Sequence, residues 1–362
     1  MNVLLIQPHT MRFKLGGKRS PTNRSGTIYN IMNEAGFNIT IGTTIAKSDI
    51  EFANKLNLKY DLITPSTNFD KYDRIVLLSG TFNYCFPPTE EYDNKKRCLE
   101  ALKRTKCTVI LVQDEYITQY AGYPAFIQPI KRLWEKGQFN EMDNLIKDRE
   151  VKVLMQCKYP KELAVEIEDR MNCYSSLKNY KFINWGVQKF AFDFLMKKPN
   201  ENPEHILSYV GVMRPNRSRL NLINNKRTNI YGRWKYPLDK AHTFPKGINV
   251  TDVPNVLNNS IATIWTHDDN FVGKSVESAR LYEAVRCGTV LLIDEVMLNK
   301  KEDCYLDGIN CFYSTKKELW EKVAFLYKNK GYRLQLIEAQ QNRLHNTINS
   351  TKLKQEFISF FN

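Results

Sequence analysis

Two stretches of this 362-residue sequence carry side chains whose types and spacing suit a phosphorylated ligand. The first is Glu277-Ser-Ala-Arg280-Leu-Tyr-Glu283-Ala-Val-Arg-Cys-Gly288, which runs on into Thr-Val-Leu-Leu-Ile-Asp294. Its pattern predicts a helix from about Ser275 to Arg286, with Gly288 where a C-cap belongs and a buried strand after it. Arg280 and Glu283 share one face of that helix. The free N–H groups and dipole at a helix start favour an anion, Arg280 would add charge there, and Glu283 could accept both hydroxyls of a ribose. An ordinary i,i+3 surface pair has the same spacing. The second stretch is Tyr209-Val-Gly211-Val-Met-Arg214-Pro-Asn-Arg217-Ser-Arg219, a strand, a glycine and an arginine-rich turn. Gly211 allows close backbone approach, and guanidinium groups suit bidentate phosphate contacts. A solvated basic turn is the other reading. Together the two stretches describe a pocket for a nucleotide diphosphate.

Other strings carry less. Gly273-Lys274-Ser275 is the tail of a P-loop, but Asp268 stands where that motif requires glycine. His267-Asp268-Asp269 suggests a metal, yet no second histidine stands at ligand spacing. A divalent ion, Mg or Mn, assisting release of a nucleotide diphosphate stays open. None of the five histidines falls in a Ser-His-Asp or Cys-His arrangement. The eight cysteines form no Cys-x-x-Cys pair, so a structural zinc site lacks support and reduced thiols are expected.

Positioning these residues takes an alternation of strands and helices, the pattern of an α/β protein with parallel sheets. Strand-like runs occur at Val3–Ile6, Phe37–Ile41, Arg74–Leu78, Thr108–Val112 and Val151–Met155, with helical candidates at Thr27–Ala35 and Asn94–Arg104. A second series runs through Ile206–Val210, Asn229–Tyr231, Ile248–Val250, Ile261–Trp265 and Val290–Ile293. The polar stretch from Lys197 to Pro203 reads as the linker between them. The tail from Lys317 is helix-patterned. The expected organisation is a Rossmann-like domain over 1–195, a second over 204–335, and a terminal helix over 336–362 packing back on the first. Two doubly wound sheets imply a cleft where their carboxyl ends face each other.

Composition limits the partners. Lys and Arg number 53 against 39 Asp and Glu, a net charge of +14 that favours a polyanion. No apolar run approaches a membrane span, and the first residues lack a basic signal region. A soluble, cytoplasmic protein with no membrane partner is expected.

The combination resembles the GT-B glycosyltransferases, and within them the T-even bacteriophage DNA β-glucosyltransferases, which act on 5-hydroxymethylcytosine in DNA. Ser25-Gly-Thr27-Ile-Tyr29, Glu34-Ala-Gly36-Phe-Asn38 and Tyr72-Asp73-Arg74 resemble that family's first domain. Tyr231-Gly232, Asp269-Asn270-Phe271 and Leu291-Leu-Ile-Asp294-Glu295 resemble its second, in the same order. The resemblance implies an inverting enzyme that uses a UDP-sugar, flips the acceptor base from double-stranded DNA and works as a monomer in the infected cell. Asp114 matches the catalytic aspartate, at the carboxyl end of a strand where a carboxylate can take a proton; Glu115 competes for that task. Arg214 and Arg217 match diphosphate-binding arginines, and Gly211 the small residue under the phosphates. Tyr231 and Gly232 fall at the uracil, Glu283 at the ribose, and Arg280 beside it.

One departure concerns the sugar. Where the family has an acidic residue before Thr-Ile-Tyr, this chain has Gly26, which leaves a UDP-glucose or a UDP-pentose donor open. The neighbouring glycine-rich loop offers Lys14, Lys18, Arg19 and Arg24 as DNA phosphate contacts. Lys95–Arg97 could add to them or form a solvated helix face. Aromatic residues at Phe82–Pro87 and Tyr116–Tyr123 could fill the gap left by a flipped base or pack as core.

Overall fold

The computed structural model describes residues 1–6, 29, 32–33, 35–43, 54, 58–62, 67–78, 107–113, 151–155, 180–183, 196–211, 217–232, 248, 252–347 and 350–361. The chain divides into two compact units. One takes in the described residues up to 183 together with 351–361, and the other those from 196 to 350.

The first unit is built on a seven-stranded parallel sheet in the order β3-β2-β1-β4-β5-β6-β7. Its strands are β1 (Asn2–Ile6), β2 (Asn38–Thr43), β3 (Tyr60–Leu62), β4 (Arg74–Leu78), β5 (Thr108–Gln113), β6 (Val151–Met155) and β7 (Tyr180–Ile183). Val3 to Ile6 are wholly buried, as a central parallel strand covered on both faces requires. The chain steps outward from β1 to β3 and then returns to the other side of β1 at β4, so the order reverses there. The helix Ser350–Phe361 belongs to this unit from Thr351 onward. Its Phe361 ring lies 5.1 Å from that of Phe37, and Arg74 Nε donates to the Phe361 carbonyl at 2.8 Å.

The second unit holds a five-stranded parallel sheet in the order β12-β11-β10-β8-β9. Here β8 is His205–Val210, β9 Thr228–Tyr231, β10 Ser260–Trp265, β11 Val290–Asp294 and β12 Phe312–Tyr313. The chain passes from β8 to β9 on one side and then crosses to β10 on the other. That reversal between β8 and β10 is a topological switch point, where open α/β sheets bind ligands beyond their strand ends. Helices α1 (Val253–Asn258), α2 (Ala279–Arg286), α3 (Lys316–Lys328) and α4 (Lys330–Thr347) accompany the sheet, so the terminal helix of the first unit is α5. The expected boundary at 335/336 falls inside α4. Where β11 has no strand beside it, buried Gln340 of α4 takes a strand's part. Its amide accepts from Leu291 N at 3.0 Å and donates to Leu291 O at 2.8 Å, satisfying an edge that would otherwise be orphaned.

Two expectations are corrected. The helix read from Ser275 begins only at Ala279, because Ser275 sits in the left-handed region at φ 49°. Its Oγ donates to Asp303 Oδ2 at 2.6 Å and accepts from Asn299 N at 2.7 Å, which ties the approach to the next loop instead. The stretch 197–203, read as a linker, is hydrogen-bonded to the second unit. Lys197 N donates to Arg286 O at 2.8 Å, Asn258 Nδ2 to Lys198 O at 3.0 Å, and Arg333 Nη2 to Glu201 O at 2.7 Å. Gly288, at φ 72°, ends α2 as a C-cap glycine should; a Cβ there would meet Lys197 O at 2.9 Å. Of the expected strand Ile248–Val250, Ile248 alone is described, and it lies outside any strand. Cys107, Cys287, Cys304 and Cys311 are free thiols. Among the described residues no helix is long and apolar enough to cross a membrane.

Candidate functional site

The residues read as ligand-binding gather at the carboxyl edge of the second sheet, on both sides of the switch point. β8 ends at Gly211, whose N–H donates to Tyr231 O at 2.9 Å at the end of β9. Gly232 follows with φ 127°, and a Cβ on it would lie 1.8 Å from Gly211 O. A Cβ on Gly211 would lie 2.7 Å from the Tyr209 hydroxyl. Gly232 is thus required by the backbone it meets, and Gly211 is approached closely by Gly232 and by the Tyr209 ring. The Tyr231 hydroxyl stands 3.2 Å from His205 Nε2, and burial raises its pKa.

Beyond β8 the arginine turn is laced to the ends of β10 and β11. Arg217 Nε donates to Asp268, and Arg217 Nη1 donates to the Tyr209 hydroxyl at 3.3 Å. Ser218 N and Oγ donate to Asp269 Oδ1 at 3.1 and 2.9 Å. Arg219 Nε donates to Asp294 Oδ2 at 2.8 Å, and Thr266 Oγ1 donates to the same oxygen at 3.0 Å. Asp268 is 1% exposed and Asp294 wholly buried, so each carboxylate needs the guanidinium it has. Burial works against the charge on Arg217, but Tyr209 and Asp268 outweigh it and raise its pKa. Bonding to Asp294 does the same for Arg219.

On the other side of the switch point, α2 opens next to β10. Trp265 Nε1 donates to Ser278 Oγ at 2.8 Å, and the Ser278 side chain caps none of the helix N–H groups. Arg280 Nε lies 3.2 Å from Glu283 Oε2, and Glu283 is 2% exposed, so this is a buried pair and not a surface one. Burial raises the Glu283 pKa, with Arg280 pulling it back down. The pair's geometry leaves Arg280 Nε and Nη1 buried with no hydrogen-bond partner. A guanidinium whose Nε keeps only the ion pair and whose Nη1 makes no hydrogen bond, beside an open helix start, suits an anion.

The structure therefore brings together Gly211, Arg217, Tyr231, Gly232, Arg280 and Glu283 on one edge of one sheet. Asp114, Arg214, Lys14, Lys18, Arg19 and Arg24 lie outside the described residues, as do Lys95–Arg97, Phe82–Pro87 and Tyr116–Tyr123. The described chain reaches Gln113, the last residue of β5, immediately before Asp114. Sequence reasoning missed Tyr209, Arg219, Asp268 and Asp294 as parts of this edge. The signal was the acid following each buried run, matched in charge by Arg-Ser-Arg. Among the described residues no group of three or more His, Cys, Asp or Glu could hold a metal, and Asp268 and Asp269 are engaged by Arg217 and Ser218.

Residues 214–358 match the family model described as glycosyl transferase-like. The T4 phage enzyme BGT in complex with its UDP-glucose substrate superposes with a TM-score of 0.71 at 16% identity, over 100% of both chains. The fold is that of the GT-B glycosyltransferases. Two other GT-B structures are more distant. TarM of S. aureus, solved with UDP, has a TM-score of 0.55 at 11% identity over 100% of both chains. HepE of Anabaena, also with UDP, has 0.56 at 10% over 99% of both. No curated protein matches this sequence.

Proposed function

We propose that the protein is an inverting glycosyltransferase that moves a sugar from a UDP-sugar to the hydroxymethyl group of 5-hydroxymethylcytosine in double-stranded phage DNA. The observation that carries the donor half is the Arg280–Glu283 ion pair at the start of α2, whose buried guanidinium Nε and Nη1 make no hydrogen bond. Diphosphate oxygens would take those nitrogens, and the ribose hydroxyls would take Glu283. The structures of T4 phage BGT, described as a DNA-modifying enzyme, contain UDP-glucose, or UDP with Mn2+, and support the same donor class here. The acceptor half is supported by the net charge of +14, suited to phosphates.

In this reading Asp114 takes the proton of the hydroxymethyl group, the oxygen attacks C1 of the sugar, and the bond from C1 to the diphosphate breaks with its electron pair leaving on UDP. Attack opposite the leaving group inverts C1. Arg280, Arg214 and the turn around Arg217 stabilise charge developing on the diphosphate, a contribution of about 3 kcal/mol per well-placed donor. The base must leave the stack to bring its hydroxymethyl group to the donor. Mg or Mn, if used, would assist departure of the nucleotide diphosphate by offsetting its charge. Gly26, in place of an acid, leaves glucose and a pentose as the candidate sugars.

Nucleoside mass spectrometry after incubating hydroxymethylated DNA with a panel of UDP-sugars tests this directly. A hexose or pentose mass gain on the modified base is the expected result. UDP binding without any such gain, and without salt-sensitive DNA binding, would move the acceptor to another class, as TarM, solved with a GlcNAc-glycerol, illustrates for this fold.

A further inference from the structure

The proposed chemistry leaves Asp268 without a part, and the sequence offers it as a metal ligand. The structure gives it a different occupation. Asp268, Asp269 and Asp294 bond three consecutive residues, Arg217, Ser218 and Arg219, so three acids hold one turn. The Arg217 guanidinium lies between the Asp268 carboxylate and the Tyr209 hydroxyl, and the Tyr209 ring lies against Gly211. Gly211 and Arg217 are thereby held on either side of the Tyr209 ring. Stability alone is a poor reason for such an arrangement, because a buried ion pair gains little over a well-packed apolar pair after both charges are desolvated. Fixed orientation is what the pair supplies and an apolar contact would not.

We infer that Asp268 is a positioning residue for the donor: it sets the Arg217 guanidinium in the orientation that meets the diphosphate of a nucleoside-diphosphate sugar. The inference rests on the donor reading above. Asp268→Asn keeps an acceptor oxygen but removes the charge.

The test compares Asp268→Asn, Arg217→Lys and the double variant, with UDP affinity from calorimetry, KM and kcat for UDP-sugar and for DNA, and the melting temperature. Losing one charge-assisted contact predicts a rise of about tenfold in UDP Kd and in donor KM, with the KM for DNA unchanged. In the Arg217→Lys background the same substitution is to add less than about twofold, because the planar guanidinium it orients is already gone. Unchanged UDP affinity in Asp268→Asn, or a penalty carried in full onto Arg217→Lys, overturns the inference. If Asp268→Asn does not fold, Tyr209→Phe removes the hydroxyl on the other side of the guanidinium. It is to raise the UDP Kd by about threefold, and no change there counts equally against the inference. Wild-type protein that fails to bind UDP would sink the donor reading itself, whereas wild-type binding with unaffected variants sinks only the role of Asp268.

Discussion

Glu283 Oε2 stands 3.2 Å from Arg280 Nε, one turn back on α2, and the glutamate is 2% exposed. A carboxylate held there is charged against its surroundings. Burial lifts its pKa above the ordinary 4.5, so the stability it lends is full below that value and is lost as pH rises through the folded pKa. Glu283→Gln removes this loss. Its melting temperature relative to wild type is expected to climb as pH rises above the ordinary 4.5, while UDP affinity falls by at least about tenfold. A melting difference that stays flat with pH would contradict the assignment.

Asp114→Asn should leave UDP binding intact and lower kcat on hydroxymethylated DNA by about 10²- to 10⁴-fold, the usual worth of a general base. Turnover near the wild-type rate would move the base elsewhere, with Glu115 the next to be replaced.

Gly232→Ala should destabilise the second unit by about 2–4 kcal/mol, since the new Cβ would lie 1.8 Å from Gly211 O on a backbone held at φ 127°. Denaturant unfolding measures this. A cost under about 0.5 kcal/mol, within the range of a neutral surface change, would show that the two strand ends can separate freely.

Arg219→Met leaves the wholly buried carboxylate of Asp294 without its cation and should cost about 3–5 kcal/mol. Adding Asp294→Leu to Arg219→Met should restore part of that loss. Additive damage in the double variant would mean that the two side chains are not energetically coupled.

The parts of the fold that were legible in the sequence are those stabilised by local pattern. β1 and β11 are continuous Val, Leu and Ile runs and are buried, and β4, β5 and β10 carry apolar runs of the same kind, so their existence was plain. The short edge strands β3, β7 and β12 were not, because their pairing comes from the neighbouring strand and not from their own composition. The start of α2 was misplaced for a similar reason. Ser275 is left-handed where it bonds Asp303 and Asn299, 28 and 24 positions away. At the site, Arg280 and Glu283 could be paired from spacing, but nothing in their spacing says that the pair is buried. Gly211 announced a close approach and was silent about what approaches it. Arg217 declared a need for an anion; its carboxylate lies 51 positions on, beyond any local reading.

The passage of α5 into the first unit has a consequence for biosynthesis. Phe357 and Phe361 are fully buried there, beside Phe37 and under the hydrogen bond from Arg74. The amino-terminal sheet therefore leaves the ribosome well before the last pieces of its own core. The described residues of the second unit, from 196 to 350, all precede α5 past Ser350, so that unit can mature first, and a fragment severed ahead of α5 would be an unsealed half-product with aromatic surface open to aggregation.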